Sequence, residues 1–223
     1  MNTAPRKPDP ETSLRITEIF FSLQGEARTV GLPTVFVRLT GCPLRCHYCD
    51  TAYAFHGGQW MTLDQIKARV AAYDTSYVTV TGGEPMAQRA CPRLLAELCD
   101  AGYRVSLETS GALDLTPVDE RVSKVMDIKT PGSGEEARNL YDNLALLTPD
   151  DQVKFVLCDR ADYEWAAGLL EARALAGRCE VLFSPSHGKL SATSLADWIL
   201  ADQLPVRLQI QLHKYLWGDV PGK

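Results

Sequence analysis

Short apolar runs alternate with segments of helical spacing along most of this chain, and that alternation restricts the fold more than any other feature. TVFVRL (34–39), YVTVT (77–81), YRVSLE (103–108), SKVMDIK (123–129), VKFVLC (153–158), CEVLFS (179–184) and VRLQIQL (206–212) read as strands. TLDQIKARVAAY (62–73), Met86–Ala101, EEARNLYDNLALL (135–147), ADYEWAAGLLEARALA (161–176) and SATSLADWILA (191–201) read as helices, with Thr62 a candidate N-cap. Strands that are apolar almost without interruption, separated by helices, call for a parallel sheet covered by those helices. Six or seven β/α units in 223 residues are too few for a closed eight-unit barrel, which needs about 250 residues. The expected fold class is therefore α/β, a partial (β/α)6-type parallel barrel.

The polar, Pro-rich start, MNTAPRKPDPETS, predicts a flexible leader over 1–13, with one domain over 14–223. It lacks the apolar core of a signal peptide, and no apolar run is long enough to span a bilayer, which points to a cytoplasmic protein without a membrane partner. A formal net charge of −5 argues against a general, direct nucleic-acid binder. Seven cysteines, an odd number in a chain of this size, do not suggest a disulfide framework. Cys91, Cys99, Cys158 and Cys179 are scattered and read as small buried hydrophobes.

Parallel β/α folds bind ligands at the C-terminal ends of their strands. The polar segments GCPLRCHYCDT, GGEP, TSG, KTPGSG and SPSHGK fall there. The first holds Cys42, Cys46 and Cys49. Three chemistries are open to such a triad. A structural zinc site closes with four ligands, and His47 or His56 could complete Cys3His. Cys46 and Cys49 alone could form a redox CxxC, leaving Cys42 unused. A four-iron cubane held by three thiolates would keep one iron free for a ligand that is not protein.

C-x-x-x-C-x-x-C with Tyr48 before the last cysteine, followed one β/α unit later by GGEP at 82–85, resembles the radical S-adenosylmethionine (SAM) superfamily. SLQGEARTVGLPTVFVRLTGCPLRCHYCDT (22–51), TGGEP (81–85), LETSG (107–111) and QLHKYLW (211–217) are similar to the 7-carboxy-7-deazaguanine synthases of queuosine and 7-deazapurine biosynthesis, from about Ile16 to Trp217. LQGE and HKYLW are the specific parts of that likeness. The gap between the first two cysteines is the standard three residues; some relatives carry a longer insertion.

The resemblance implies a lyase that converts 6-carboxy-5,6,7,8-tetrahydropterin to 7-carboxy-7-deazaguanine and ammonia. A 5′-deoxyadenosyl radical would abstract hydrogen from C6, and a radical ring contraction would follow. It implies a [4Fe-4S] cluster on Cys42, Cys46 and Cys49, SAM, and Mg²⁺ on Thr51. It also implies an electron donor such as flavodoxin, and a homodimer. SAM would be bound by Tyr48, Cys49, Asp50, Gly83 (with Gly82), Ser110, Asp127, Ile128 and Lys129. Relatives carry Ser-Pro-Lys at that last segment, so Asp127 is a departure, and Lys129 is the part that transfers. The pterin would meet Leu23, Gln24, Gly25, Arg38 and Thr81, with Glu26 and His213 as weaker candidates. Arg38 sits within a strand, where a guanidinium needs a carboxylate; the ligand or a structural salt bridge could supply it. A glycyl-radical activating enzyme, acting on a protein, and a zinc-bound interaction module are the rival readings.

Overall fold

The computed structural model describes residues 9–222. One nine-stranded sheet organises the chain. β1 (Ser13–Leu23), β2 (Pro33–Leu39) and β3 (Gln59–Thr62) come first, then α1 (Leu63–Val70) and β4 (Tyr77–Gly82). α2 (Cys91–Asp100), β5 (Arg104–Thr109), β6 (Ser123–Ile128), β7 (Gln152–Leu157) and α3 (Arg160–Ala172) follow, and β8 (Glu180–Pro185), α4 (Ala192–Ala201), β9 (Arg207–Leu208) and α5 (Leu212–Trp217) complete the order. The strands lie in the order β3-β1-β2-β4-β5-β6-β7-β8-β9. β1 runs antiparallel to both of its neighbours. From β2 to β9 every pairing is parallel. β3 and β9 are separate edges, so the sheet does not close, and the expected partial barrel is present.

The parallel strands are less uniform than their apolar runs suggest, and their period of two divides the molecule. Val78, Val80, Leu107, Met126, Val153 and Phe155 belong to the core shared with the helices. The alternate residues Phe36, Arg38, Thr81, Glu108, Asp127 and Lys154 line a cavity on the other face. Helix starts are fixed locally. Thr62 and Gln65 form a reciprocal capping box on α1, Asp159 caps α3 through Asp162 N, and Ser191 caps α4.

Four elements depart from the sequence reading. β1 and β3 are additional strands that pair with one another. Residues 135–147 form two short 3-10 turns rather than a helix. Asn139 holds both the N–H and the carbonyl of Lys129 through its side chain, at 2.9 and 2.8 Å. Asn143 does the same for Leu115 N and the Gly111 and Leu113 carbonyls. These bonds tie the segment to the sheet and compete with a helical path. At the end of the chain, only Arg207 and Leu208 of the expected strand 206–212 pair with β8, and residues from Leu212 turn into α5. Residues 1–8 of the expected leader lie outside the described part; β1 starts at Ser13. No helix among the described residues is long and apolar enough to cross a membrane.

The β1–β2 connection spans the open side of the barrel. Ala27, at φ 62°, turns the chain so that Glu26 reaches Lys154 of β7 at 2.9 Å. On the other side of that turn Arg28 N donates to Gln152 Oε1 at 2.9 Å, and the Arg28 guanidinium meets Glu180 at the start of β8. Leu212 N of α5 donates to Gly25 O at 3.0 Å. A Cβ on Gly25 would stand 2.2 Å from His213 Nδ1, so only glycine admits α5 this closely. β1, β7, β8 and the C-terminus thus meet around residues 25–28.

Candidate active site

The strand ends, the β1–β2 connection and α5 enclose a cavity of about 250 Å³. Cys42, Cys46 and Cys49 open into it. Their loop has almost no regular structure and is held by its neighbours. Gly41 N donates to Ala54 O and Glu84 N to Gly41 O, both at 2.8 Å; His47 N donates to Ser133 O at 3.0 Å. Leu44 is buried beneath it. Gly83 lies directly against this loop: a Cβ there would come within 2.1 Å of Gly41 O and 3.0 Å of Cys42 Cβ, while Gly82, at φ 141°, lies against the end of β2, where a Cβ would be 2.3 Å from Leu39 O. The first task of the glycine pair is therefore close backbone packing, Gly82 against the end of β2 and Gly83 against the cysteine loop. Glu84 follows, fully buried, accepting from Thr109 Oγ1 at 2.9 Å and Ser110 N at 2.7 Å, and from the Ser110 hydroxyl. It binds the β4 end to the β5 end.

The three thiols are free, and burial pushes Cys46 up to about 11. Nearby iron would reverse that preference, since a coordinating thiol is deprotonated. Among the described residues no three His, Cys, Asp or Glu side chains are gathered for a single ion. Neither His47 nor His56 faces the cavity. A Cys3His zinc site is therefore not assembled. Three thiols spread around one open cavity suit a cluster, whose thiolates sit on separate irons. Two buried polar atoms beside them, Tyr48 Oη and Asp127 Oδ1, have no hydrogen-bond partner among the described residues. Buried polar groups are rarely left this way, so this wall is prepared for something that is not protein.

Reaching from beside the thiols to the β1–β2 connection is a network of largely buried charge. Lys154 Nζ is 2.9 Å from Glu26 and 3.5 Å from Asp127, and Lys129 Nζ is 3.1 Å from Asp127. Burial opposes the charge on Lys154, but Glu26, Asp127 and Glu108 outweigh it and hold its pKa well above the usual lysine value. Burial likewise opposes ionisation of Glu26, and Lys154 with Gln211 brings its pKa below the usual range. Glu108 has no directly paired cation among the described residues, and burial leaves its carboxyl above the usual range. Thr81 donates to it at 3.2 Å, and Gln24, buried, reaches both Glu108 and Thr79.

α5 closes the remaining side. Gln211 Nε2 donates to both Glu26 Oε1 (2.9 Å) and Asp50 Oδ2 (3.1 Å). Lys214 lies 3.2 Å from Asp50. Although burial works against it, the Asp50 carboxyl is lowered to about 2, chiefly by Lys214. Thr51 Oγ1 donates to Asp50 Oδ1 at 2.9 Å. Arg38 is paired within the protein: Nε donates to Glu18 Oε1 at 2.7 Å, and the guanidinium lies between the Phe20 and Tyr53 rings. Among the described residues neither of its Nη groups is hydrogen-bonded.

Leu23, Gln24, Gly25, Arg38, Thr81, Tyr48, Asp50, Thr51, Gly83, Ser110, Asp127, Lys129 and the three cysteines all line this cavity. Ile128 does not, because its side chain packs in the apolar core. Glu18, Glu108, Lys154, Gln211 and Lys214 were not singled out from the sequence. Lys154 within VKFVL and Glu108 within SLET carry the signal that marked Arg38, a charge within an apolar strand. Cys91 and Cys179 are buried as expected, whereas Cys99 and Cys158 are only partly so.

The Radical SAM superfamily model matches residues 36–175, from β2 to just beyond α3. Fold and cysteine loop together place the chain in that superfamily. The 7-carboxy-7-deazaguanine synthase of Chlorobaculum tepidum is 47% identical over 211 residues, covering 93% of this chain and 96% of its own length. That of Koribacter versatilis is 43% identical over 219 residues, covering 92% and 97%. QueE from Escherichia coli has a similar fold, with a TM-score of 0.74 at 23% identity over 90% of this chain and 95% of its own. The chain belongs to the 7-carboxy-7-deazaguanine synthase family.

Proposed function

We propose that this protein converts 6-carboxy-5,6,7,8-tetrahydropterin to 7-carboxy-7-deazaguanine and ammonia, as a radical SAM lyase of queuosine and 7-deazapurine biosynthesis. The observation that carries this reading is that the three thiols and a buried wall of alternating acids and cations open into one small cavity. Cys42, Cys46 and Cys49 would hold a [4Fe-4S] cluster, and with SAM it would supply the radical that begins the reaction. Tyr48, Asp50, Gly83, Ser110, Asp127 and Lys129, all on the cavity wall, would bind SAM. Lys129 and Asp127 form a fixed ion pair there.

Gln24, Thr81 and Glu108 present donors and acceptors to the polar edge of a pterin. Glu108, inclined toward its neutral form, is able to donate as well as accept. The Nη groups of Arg38, its Nε being engaged by Glu18, suit the substrate carboxylate. Thr51 would add one oxygen to a Mg²⁺ shared with that carboxylate and water, since Mg²⁺ keeps several waters and takes few protein ligands. A cavity closed by residues 25–28 and α5 favours a small molecule over the protein substrate of an activating enzyme. A cytoplasmic homodimer reduced by a flavodoxin-type donor completes the proposal.

The test is anaerobic incubation with the carboxypterin, SAM and a chemical reductant, followed by mass spectrometry. The expected product is 7-carboxy-7-deazaguanine with release of ammonia. Cleavage of SAM with the pterin recovered unchanged would refute the substrate assignment.

A further inference from the structure

The cysteine loop has few bonds of its own. Between Cys42 and Cys49, two backbone amides donate outside the loop, and both reach the segment after β6: His47 N to Ser133 O at 3.0 Å, and Arg45 N to Glu135 Oε1. Gly134 lies so close to His47 that a Cβ there would be 2.7 Å from the imidazole. The position of the loop therefore depends on what fixes residues 130–135.

That anchor is Asp162, in the first turn of α3, 1% exposed and outside the cavity lining. Gly132 N donates to its Oδ1 at 2.8 Å. Cys158 N donates to its Oδ2 at 2.9 Å, and the single hydroxyl hydrogen of Thr130 is shared between Oδ2 at 3.0 Å and Val156 O at 3.1 Å. A Cβ on Gly132 would be 2.4 Å from Oδ2. Ser133 Oγ continues the path, donating to Thr130 O at 2.6 Å and accepting from Glu135 N at 3.0 Å. Nothing in helix capping requires these bonds, because Asp159 already caps α3.

We propose that Asp162 is a positioning residue for the cluster: it fixes the 130–135 segment, and through Ser133 and Glu135 it sets the cysteine loop. This rests on the assignment of a cluster to Cys42, Cys46 and Cys49. Each oxygen of Asp162 accepts a backbone N–H, from Gly132 and from Cys158, so an amide in its place sets a donor against one of these donors whichever way it is turned. Asp162→Asn keeps the volume and breaks the clamp, while Glu135→Ala breaks its last link. Leu170→Ala, a core truncation on the same helix, lowers stability without touching the path.

Hydrogen exchange of the apoprotein, iron content after anaerobic reconstitution and the electron paramagnetic resonance spectrum of the reduced cluster with and without SAM test this together. Asp162→Asn and Glu135→Ala are expected to speed exchange at residues 45–47 about tenfold, the scale of one lost hydrogen bond. Both are expected to alter the SAM-dependent spectrum; Leu170→Ala is expected to lower Tm with wild-type loop exchange and spectrum. If Asp162→Asn and Glu135→Ala matched Leu170→Ala in loop exchange and spectrum, Asp162 would be structural only. Failure of the wild-type protein to assemble a cluster would instead overturn the cluster assignment, leaving the apoprotein exchange as a separate measure of the clamp.

Discussion

Replacing Lys154 by Met removes the cation that two largely buried carboxylates share, leaving Asp127 its second cation, Lys129, but Glu26 with none. At 2.9 Å from Glu26 and 3.5 Å from Asp127, the gross Coulomb attraction is about 5 kcal/mol each at an effective dielectric of about 20. Desolvation cancels much of this in the wild type, but it is not recovered when only the cation is removed. The expected loss is about 3–5 kcal/mol near pH 7, the usual cost of stranding one partner of a buried pair. The direction with pH follows from Glu26. In the wild type its folded pKa lies below the unfolded value, so its contribution is present above the unfolded pKa and is lost as pH falls. In Lys154→Met burial would raise that pKa instead, so the penalty grows as pH rises above the unfolded value of about 4.3 and is relieved by acid. Urea unfolding of the apoprotein at pH 5.5 and 8 measures both. Glu26→Gln added to Lys154→Met should recover a large part of the loss, because a neutral amide needs no cation. A loss under about 1 kcal/mol that did not change with pH would show that this network is not the buried, coupled unit described.

Ala27→Gly should relieve the left-handed backbone at φ 62°, worth about 1 kcal/mol and thus about 2–4 °C in Tm by calorimetry, with an unchanged Tm counting against strain there. Cys46→Ala should leave no brown chromophore after anaerobic reconstitution, against about four irons per wild-type chain; a full cluster in this variant would place the iron elsewhere. Arg38→Lys keeps the charge but loses the fork and should raise KM for the carboxypterin about tenfold or more, while SAM cleavage without substrate persists. Thr51→Ala should abolish the response of turnover to added Mg²⁺, and Thr51→Ser should retain it; a wild-type Mg²⁺ titration in Thr51→Ala would move the metal site.

The parts of this site legible in the sequence are those whose chemistry is contiguous. Cys42, Cys46 and Cys49 declare themselves by spacing, and Gly82 and Gly83 by their place at a strand end. Glu108, Lys154, Gln211 and Asp162 do not, because each acts only against residues brought from other strands: Lys154 is 128 positions from Glu26, and Gln211 is 161 from Asp50. The parallel sheet was legible because its apolar runs are long. β3 has four residues, two of them beside an exposed tryptophan, and gives no periodic signal. The segment 135–147 has helical spacing of Leu140, Tyr141, Leu144 and Leu147, yet Asn139 and Asn143 commit their side chains to backbone on other elements. Arg38 shows the opposite error of scope. Its need for a carboxylate was readable, but only the geometry shows that Glu18 already engages its Nε.

The connection across the open side of the barrel also fixes an order of assembly. The cysteine loop and its glycine neighbours lie within the first 84 residues, and their mutual contacts close short loops. The turn at residues 25–28 is complete only when partners 124, 128 and 185 positions away have arrived, the last from Gln211 near the end of the chain. Long-range contacts of this kind form late, because their chain-closure entropy is met before their energy is gained. The cysteine loop, which also needs Ser133 and Glu135, and the turn at residues 25–28, which needs Gln211, are therefore both completed late, the turn last.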